Sequence, residues 1–189
     1  MANFTEEAIK NKFMELLNRK PINKITVKEI AAECGINRNS FYYHFNDLPS
    51  LLEVILTDEA ERFVESYSDS GSIYEHLLDA VDFAIQNKTA VYHIYNSANR
   101  EMFEHYLDRI STKTVSDYMD NATRDLNIVE SDYNALVLYY KCLLVGFVID
   151  WLAQGMKYDL RDKISTIWKL FDGAMITAIE RCEKVRVWD

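Results

Sequence analysis

The chain has 189 residues, of which 49% are hydrophobic, enough for one substantial core or two small domains. Its net charge of −9 excludes a protein that holds nucleic acid by bulk charge, because such binding requires phosphates to be neutralised. Cys34, Cys142 and Cys182 are odd in number and contain no C-x-x-C pair, which argues against a disulfide framework or a zinc site and for buried free thiols in a reducing compartment.

In chain order, the opening MANFTEEAIKNK lacks an apolar stretch and does not read as a signal peptide. A first helix is predicted from Thr5 to about Arg19, with Phe4 and Ile9 spaced as a hydrophobic staple. After Pro21, Thr26 and Glu29 form a capping box in which each side chain satisfies a backbone donor. Val27, Ile30 and Ala31 then share one apolar face, and Ala32 is small enough for a close neighbour. Gly35 stands where a helix ends in the left-handed conformation, and Ile36 is a candidate buried plug. Asn37 caps the next helix, on which Phe41 and Phe45, four apart, face the core. Arg38, Asn39, Ser40, Tyr42, Tyr43 and His44 are left at its start or on its outer side. Two short helices joined this way make a helix-turn-helix, whose second helix reads bases through its N-terminal residues. Arginine pairs with guanine and asparagine with adenine, while serine is tolerant. Tyr42, Tyr43 and His44 offer donors to phosphate oxygens, which set register.

The pattern T-x-x-x-I-A-x-x-x-G-I followed by F-Y-Y-H-F (Thr26 to Phe45) resembles the DNA-binding domain of the TetR family of bacterial transcription regulators. The resemblance implies that Thr26, Arg38, Asn39, Ser40, Tyr42, Tyr43 and His44 face DNA. Many family members carry a phosphate-binding lysine at the start of the next helix. Here that place holds Leu48, followed by Pro49, which suits a first turn; Lys24 or Lys28 is expected to compensate. Charge divides along the same line. Residues 1–50 hold seven Lys/Arg against six Asp/Glu, and residues 51–189 hold fourteen against twenty-four. The acidity belongs to the body, and specific contacts must carry more of the DNA affinity.

Beyond the head, a long helix is predicted from about Asp47 to Ser68, with an SDSGS loop after it. Ser72 and Glu75 cap the next helix, which carries Leu77, Leu78, Val81 and Ile85. Helices over Thr89 to Ala98 and Arg100 to about Arg124 follow. An apolar helix runs from Ser131 to Met156, and a last one holds Ile164, Ile167, Trp168, Phe171, Met175, Ala178 and Ile179 at helical spacing. Residues 135–153 are almost wholly apolar, but Lys141 and Asp150 interrupt them, and a central charge costs about 2.5–3.5 kcal/mol on membrane insertion. A soluble, cytoplasmic protein with no membrane partner is expected. The fold class is all-α, with about nine helices. Residues 1–46 form a three-helix DNA-binding domain and residues 47–189 a helical effector-binding and dimerisation domain.

The last two helices carry more apolar surface than a thin body needs. Leu136, Tyr140, Leu143, Phe147, Trp151, Ile164, Trp168, Phe171 and Met175 are the candidate homodimer interface, and Gly146 permits close approach. A dimer presents two reading helices to a pseudo-palindromic operator. The middle of the chain is rich in polar-tipped aromatics, and pockets are mostly apolar with a few placed polar groups. In the resembling family this region binds a small effector, here of unknown identity, and the candidate lining is Tyr67, Tyr74, Tyr92, Tyr95, Asn96, Met102, Phe103 and Tyr106. Glu101 with His105 and Asp79 with Asp82 have ligand-like spacing, but nothing supplies a third metal ligand or an oriented nucleophile. No metal, cofactor or enzymatic activity is expected. The expected function is a dimeric, ligand-responsive DNA-binding regulator, a repressor by family habit. The alternative is a partner-dependent co-activator or interaction module whose helix-turn-helix has lost DNA binding.

Overall fold

The computed structural model describes residues 2–66 and 73–184, and all their regular elements are helical. These are α1 (Ala2–Leu17), a 3₁₀ turn (Ile22–Lys24), α2 (Val27–Glu33), α3 (Arg38–His44), α4 (Leu48–Ser66), α5 (Ile73–Gln86), α6 (Lys88–Tyr95), α7 (Arg100–Ala122), α8 (Glu130–Ala153), α9 (Leu160–Leu170) and α10 (Ala174–Lys184). The chain divides into two compact units. The first holds Met1–Arg62 and Phe83–Tyr106, and the second holds Phe63–Asp82 and Leu107–Asp189. The expected cap at Ser72 and the aromatic Tyr67 lie outside the described residues.

In the first unit, α1 begins earlier than expected. Phe4 lies inside it and is 81% exposed, so the staple with Ile9 does not form. Five residues of helix turn Phe4 about 140° away from Ile9. Ile9, Phe13, Leu16 and Leu17 line the buried face instead. Half of the expected capping box at α2 is present. Thr26 accepts from the Glu29 backbone N–H at 3.2 Å, but the Glu29 carboxylate takes the Lys20 ammonium at 2.6 Å rather than reaching back. Gly35, at φ +67°, ends α2: the Ile36 N–H donates to the Ala31 carbonyl at 2.9 Å and the Gly35 N–H to Ala32 at 3.2 Å. This pair of bonds closes a Schellman motif, which needs the left-handed residue. Ala32 is exposed and Ile36 only half-buried, so neither plays the packing part expected of it.

Asn37 Oδ1 accepts from the Ser40 N–H at 2.8 Å and caps α3 as expected. At α4 the cap is a reciprocal one: the Ser50 N–H donates to Asp47 Oδ1 at 2.8 Å and the Asp47 N–H to Ser50 Oγ at 3.1 Å. Pro49 in that first turn has no N–H to leave orphaned. The ends of α1 and α6 satisfy each other. Asn18 Oδ1 accepts from the Ala90 N–H at 3.3 Å, while His93 Nδ1 lies 2.7 Å from the Leu17 carbonyl oxygen. A carbonyl only accepts, so that ring nitrogen carries the proton.

In the second unit, Val115, Met119 and Ile179 form a buried centre, with Leu136, Val137, Tyr140, Leu144 and Met175 among the side chains packed on it. The two charges that interrupt α8 are both matched. Lys141 pairs with Asp108 at 2.8 Å, and Asp150 accepts from the Tyr158 hydroxyl at 3.0 Å. By length and composition alone, α8 is apolar enough to cross a membrane. The expected last helix is two helices. Gly173, at φ +72°, falls between α9 and α10, and a helix cannot continue through a left-handed residue. Its apolar spacing persists across the break, which hid the break in the sequence. All three cysteines are free thiols; Cys34 and Cys182 are half-buried, whereas Cys142 is exposed on α8 rather than buried as expected. Burial pushes the thiols of Cys34 and Cys182 up.

Candidate functional site

Phe41 is fully buried and Phe45 nearly so, their ring centroids 5.8 Å apart. These two anchors decide which side of α3 meets the core, and the rest of the helix follows from its period. Arg38 and Asn39 are exposed at its start, and Tyr42 and Tyr43 are exposed farther along. Ser40 is half-buried, and its hydroxyl donates to Asn37 Oδ1 at 3.2 Å. His44 departs from the expected outer side. Its side chain is 9% exposed, with Nδ1 3.6 Å from Glu6 of α1. Three residues past Phe41, it shares the anchored face rather than the open one.

Electrostatics separate the cations of the head further. Lys10, Lys12, Arg19 and Lys20 all lie within ion-pair distance of acids of the same unit. Among the described residues of the head, Lys24, Lys28 and Arg38 are exposed and have no acidic partner. Thr26 is exposed beside them. Leu48 is half-buried at the start of α4, and the charged group next to it is the Asp47 carboxylate, so no cation stands at that place. Lys24→Ala and Lys28→Ala should each flatten the dependence of log K on log salt by about one counterion and weaken all DNA sequences alike. Titration of fluorescent duplexes over a range of salt reads this, and an unchanged slope would remove the lysine from the interface.

The candidate effector residues fall in different parts of the chain. Tyr92, Tyr95, Asn96, Met102, Phe103 and Tyr106 belong to the first unit and Tyr74 to the second. Tyr95 and Phe103 are buried, Met102 half-buried, and Tyr92 and Asn96 exposed. Phe103 and Tyr106 stack at 6.0 Å, and the Arg100 guanidinium lies 4.3 Å over the Tyr95 ring. Arg100 was not expected there; only its place five residues after an aromatic hinted at it. Asn96 donates to the Tyr92 carbonyl of its own helix at 2.9 Å. Tyr74 packs on Trp168 at 5.1 Å. Glu101 and His105 lie 3.8 Å apart in solvent, and no group of three metal-ligating side chains occurs among the described residues.

Several expected dimer contacts face inward instead. Leu136, Tyr140 and Met175 pack on the Val115–Met119–Ile179 centre. Trp151 is buried, and its indole N–H donates to the Tyr158 carbonyl at 2.9 Å. Phe147, Ile164 and Trp168 are half-buried. The outward stripe of α8 is Ala135, Leu138, Tyr139, Cys142, Leu143 and Gly146, with Leu138 56% and Tyr139 60% exposed. Leu170, Phe171 and Ile176 are likewise exposed at the α9–α10 break. Leu143 and Phe171 are the expected residues found on this outward surface. A helix apolar on every side carries no phase information, so its sequence does not distinguish inner from outer faces.

Comparison with known proteins adds to this geometry. A family described as bacterial regulatory proteins, tetR family, matches residues 14–54. A family described as transcriptional regulator C-terminal region matches residues 71–173, more than half of the chain. An uncharacterized HTH-type transcriptional regulator of Bacillus subtilis (strain 168), YxbF, is 31% identical over 72 residues, which are 38% of this chain and 19% of that relative. The matched part of the chain thus spans about a fifth of that relative's length. Among solved structures, the dihydroxyacetone kinase operon activator DhaS aligns with TM-score 0.76 at 18% identity, over 95% of this chain and 98% of its own. NalD, the secondary repressor of the MexAB-OprM multidrug efflux pump in Pseudomonas aeruginosa, aligns with TM-score 0.60 at 16% identity, over 93% and 95%.

Proposed function

The chain belongs to the TetR family; from that premise we propose that it is a DNA-binding transcription regulator rather than an enzyme, acting in the cytoplasm as a homodimer released from a pseudo-palindromic operator by a small-molecule effector. The observation that carries this reading is the exposed Arg38–Asn39 start of α3, together with the exposed, unpaired cations Lys24 and Lys28 of the same unit. Thr26, Ser40, Tyr42 and Tyr43 complete the contact set, with residues 1–46 as reader and 47–189 as effector and dimer body. The outward stripes of α8 and of the α9–α10 break support the dimer, since large exposed apolar surface marks an interaction site. Buried Tyr95 and Phe103, with Arg100 over Tyr95, are the favoured part of an effector site. An effector releases DNA only if it binds the released conformation better than the bound one. Fold does not decide the sign of regulation, because the structural neighbours include an operon activator and a repressor.

A second reading, a partner-dependent activator, is favoured by the start of α4. There Leu48 and the Asp47 carboxylate stand where a phosphate-binding cation would strengthen the grip on DNA. Selection from random DNA at defined salt separates the two: an enriched palindrome supports the reader, and no enrichment supports the partner-dependent form. On the enriched site, Arg38→Ala or Asn39→Ala should relax base preference at one position per half-site, costing about 1–3 kcal/mol each. Tyr42→Phe should weaken all sequences alike. Wild-type binding and base preference in both Arg38→Ala and Asn39→Ala would show that this face does not read bases.

A further inference from the structure

One buried charge in the head has no part in the contact set described above. Lys10 is 8% exposed, and its ammonium lies 2.8 Å from Asp58 of α4, 3.9 Å from Glu6, and in contact with Glu7. Glu6 in turn faces His44 at the end of α3, at 3.6 Å. A polar network therefore joins α1 to α4 through Lys10 and Asp58 and to α3 through Glu6 and His44, inside a single unit. Burial opposes a charged lysine, but the bonds to Asp58 and Glu7 outweigh it and hold the proton more firmly than usual. Asp58 is the carboxylate that Lys10 reaches on another helix, whereas Glu6 and Glu7 lie on its own, so losing Asp58 unties α4 from α1.

We propose that Lys10 and Asp58 are positioning residues for operator binding: their ion pair locks α4 to α1 and, through Glu6 and His44, sets the orientation of the reading helix. His44 on this view holds α3 in place rather than binding phosphate. The proposal rests on the DNA-reader assignment and makes an unusual demand of an acid. Removing a negative charge from the unit that carries a DNA-binding helix normally tightens binding, through reduced repulsion of phosphate. Asp58→Asn should do the opposite and weaken binding to the selected operator about tenfold, within the range by which residues remote from a ligand act.

The test uses the full chain and measures operator affinity across a salt series, with thermal unfolding recorded for every variant. Asp58→Asn and Lys10→Met should each weaken binding while leaving the salt slope of the wild type unchanged, and the double variant should be no weaker than either single one. Asp58→Glu, which keeps the carboxylate and so guards against a folding defect, should recover most of the affinity. Tighter or unchanged binding by Asp58→Asn overturns the proposal. So does a Lys10→Met slope flatter by about one counterion, the mark of a phosphate contact. Additive losses, or an Asp58→Glu variant as weak as Asp58→Asn, overturn it as well. If the wild type itself selects no DNA, the reader assignment fails instead.

Discussion

Phe41→Ala should unfold the DNA-reading head and abolish operator binding, although Phe41 touches no base. Its side chain has no exposed surface, and a buried Phe→Ala change costs about 3–5 kcal/mol. Whole domains are stable by only about 5–15 kcal/mol, so the loss takes a large share. Local structure offers no reserve, because α3 has seven residues and isolated helices below about 12–15 residues are marginal in water. Circular dichroism during urea or thermal unfolding, alongside operator titration, checks the result. Arg38→Ala is the control: its exposed side chain should leave stability intact while altering base preference. A Phe41→Ala protein that melts with the wild type would show that α3 is held by something other than its aromatic anchor.

Leu138→Glu should split the proposed dimer and reduce affinity for a full operator to that for a half-site. The side chain is 56% exposed on the outward stripe of α8, so the folded subunit tolerates the charge. Twofold symmetry, however, places a second copy of it in the same interface. Tethering two binding events raises overall affinity about 10²–10⁴-fold, and this gain is what the variant loses. Sedimentation at micromolar concentration and titration against full and half operators measure the two effects. Tyr140→Glu, two residues on, is the contrast: Tyr140 packs on the subunit's own centre, and its replacement should destabilise the monomer. A Leu138→Glu protein that remains dimeric and grips the full operator would place the interface elsewhere.

Much of the head was legible in the sequence, because its signals act over a few residues. The Thr26 and Asn37 caps, the Gly35 turn and the Phe41–Phe45 pair each operate within a single turn of helix, and each has the expected geometry. The Asp47–Ser50 cap was equally local and open to the same reading. The partial failures have different causes. Glu29 leaves the capping box for Lys20, a partner outside its own helix. The helix period, by contrast, puts His44 on the face anchored by Phe41, toward Glu6, and the earlier start of α1 turns Phe4 away from Ile9.

The sequence by itself determined the all-helical class, the helix-turn-helix and the exposed residues at the start of its second helix, since short-range capping and periodicity specify these. Only the tertiary structure decided which face of α8 looks outward, where the last helix breaks, and that Lys10 pairs with Asp58, 48 residues away. An all-round apolar helix has no phase of its own, and an ion pair between distant residues leaves no spacing to read. Both are settled by which surfaces the chain brings together when it packs.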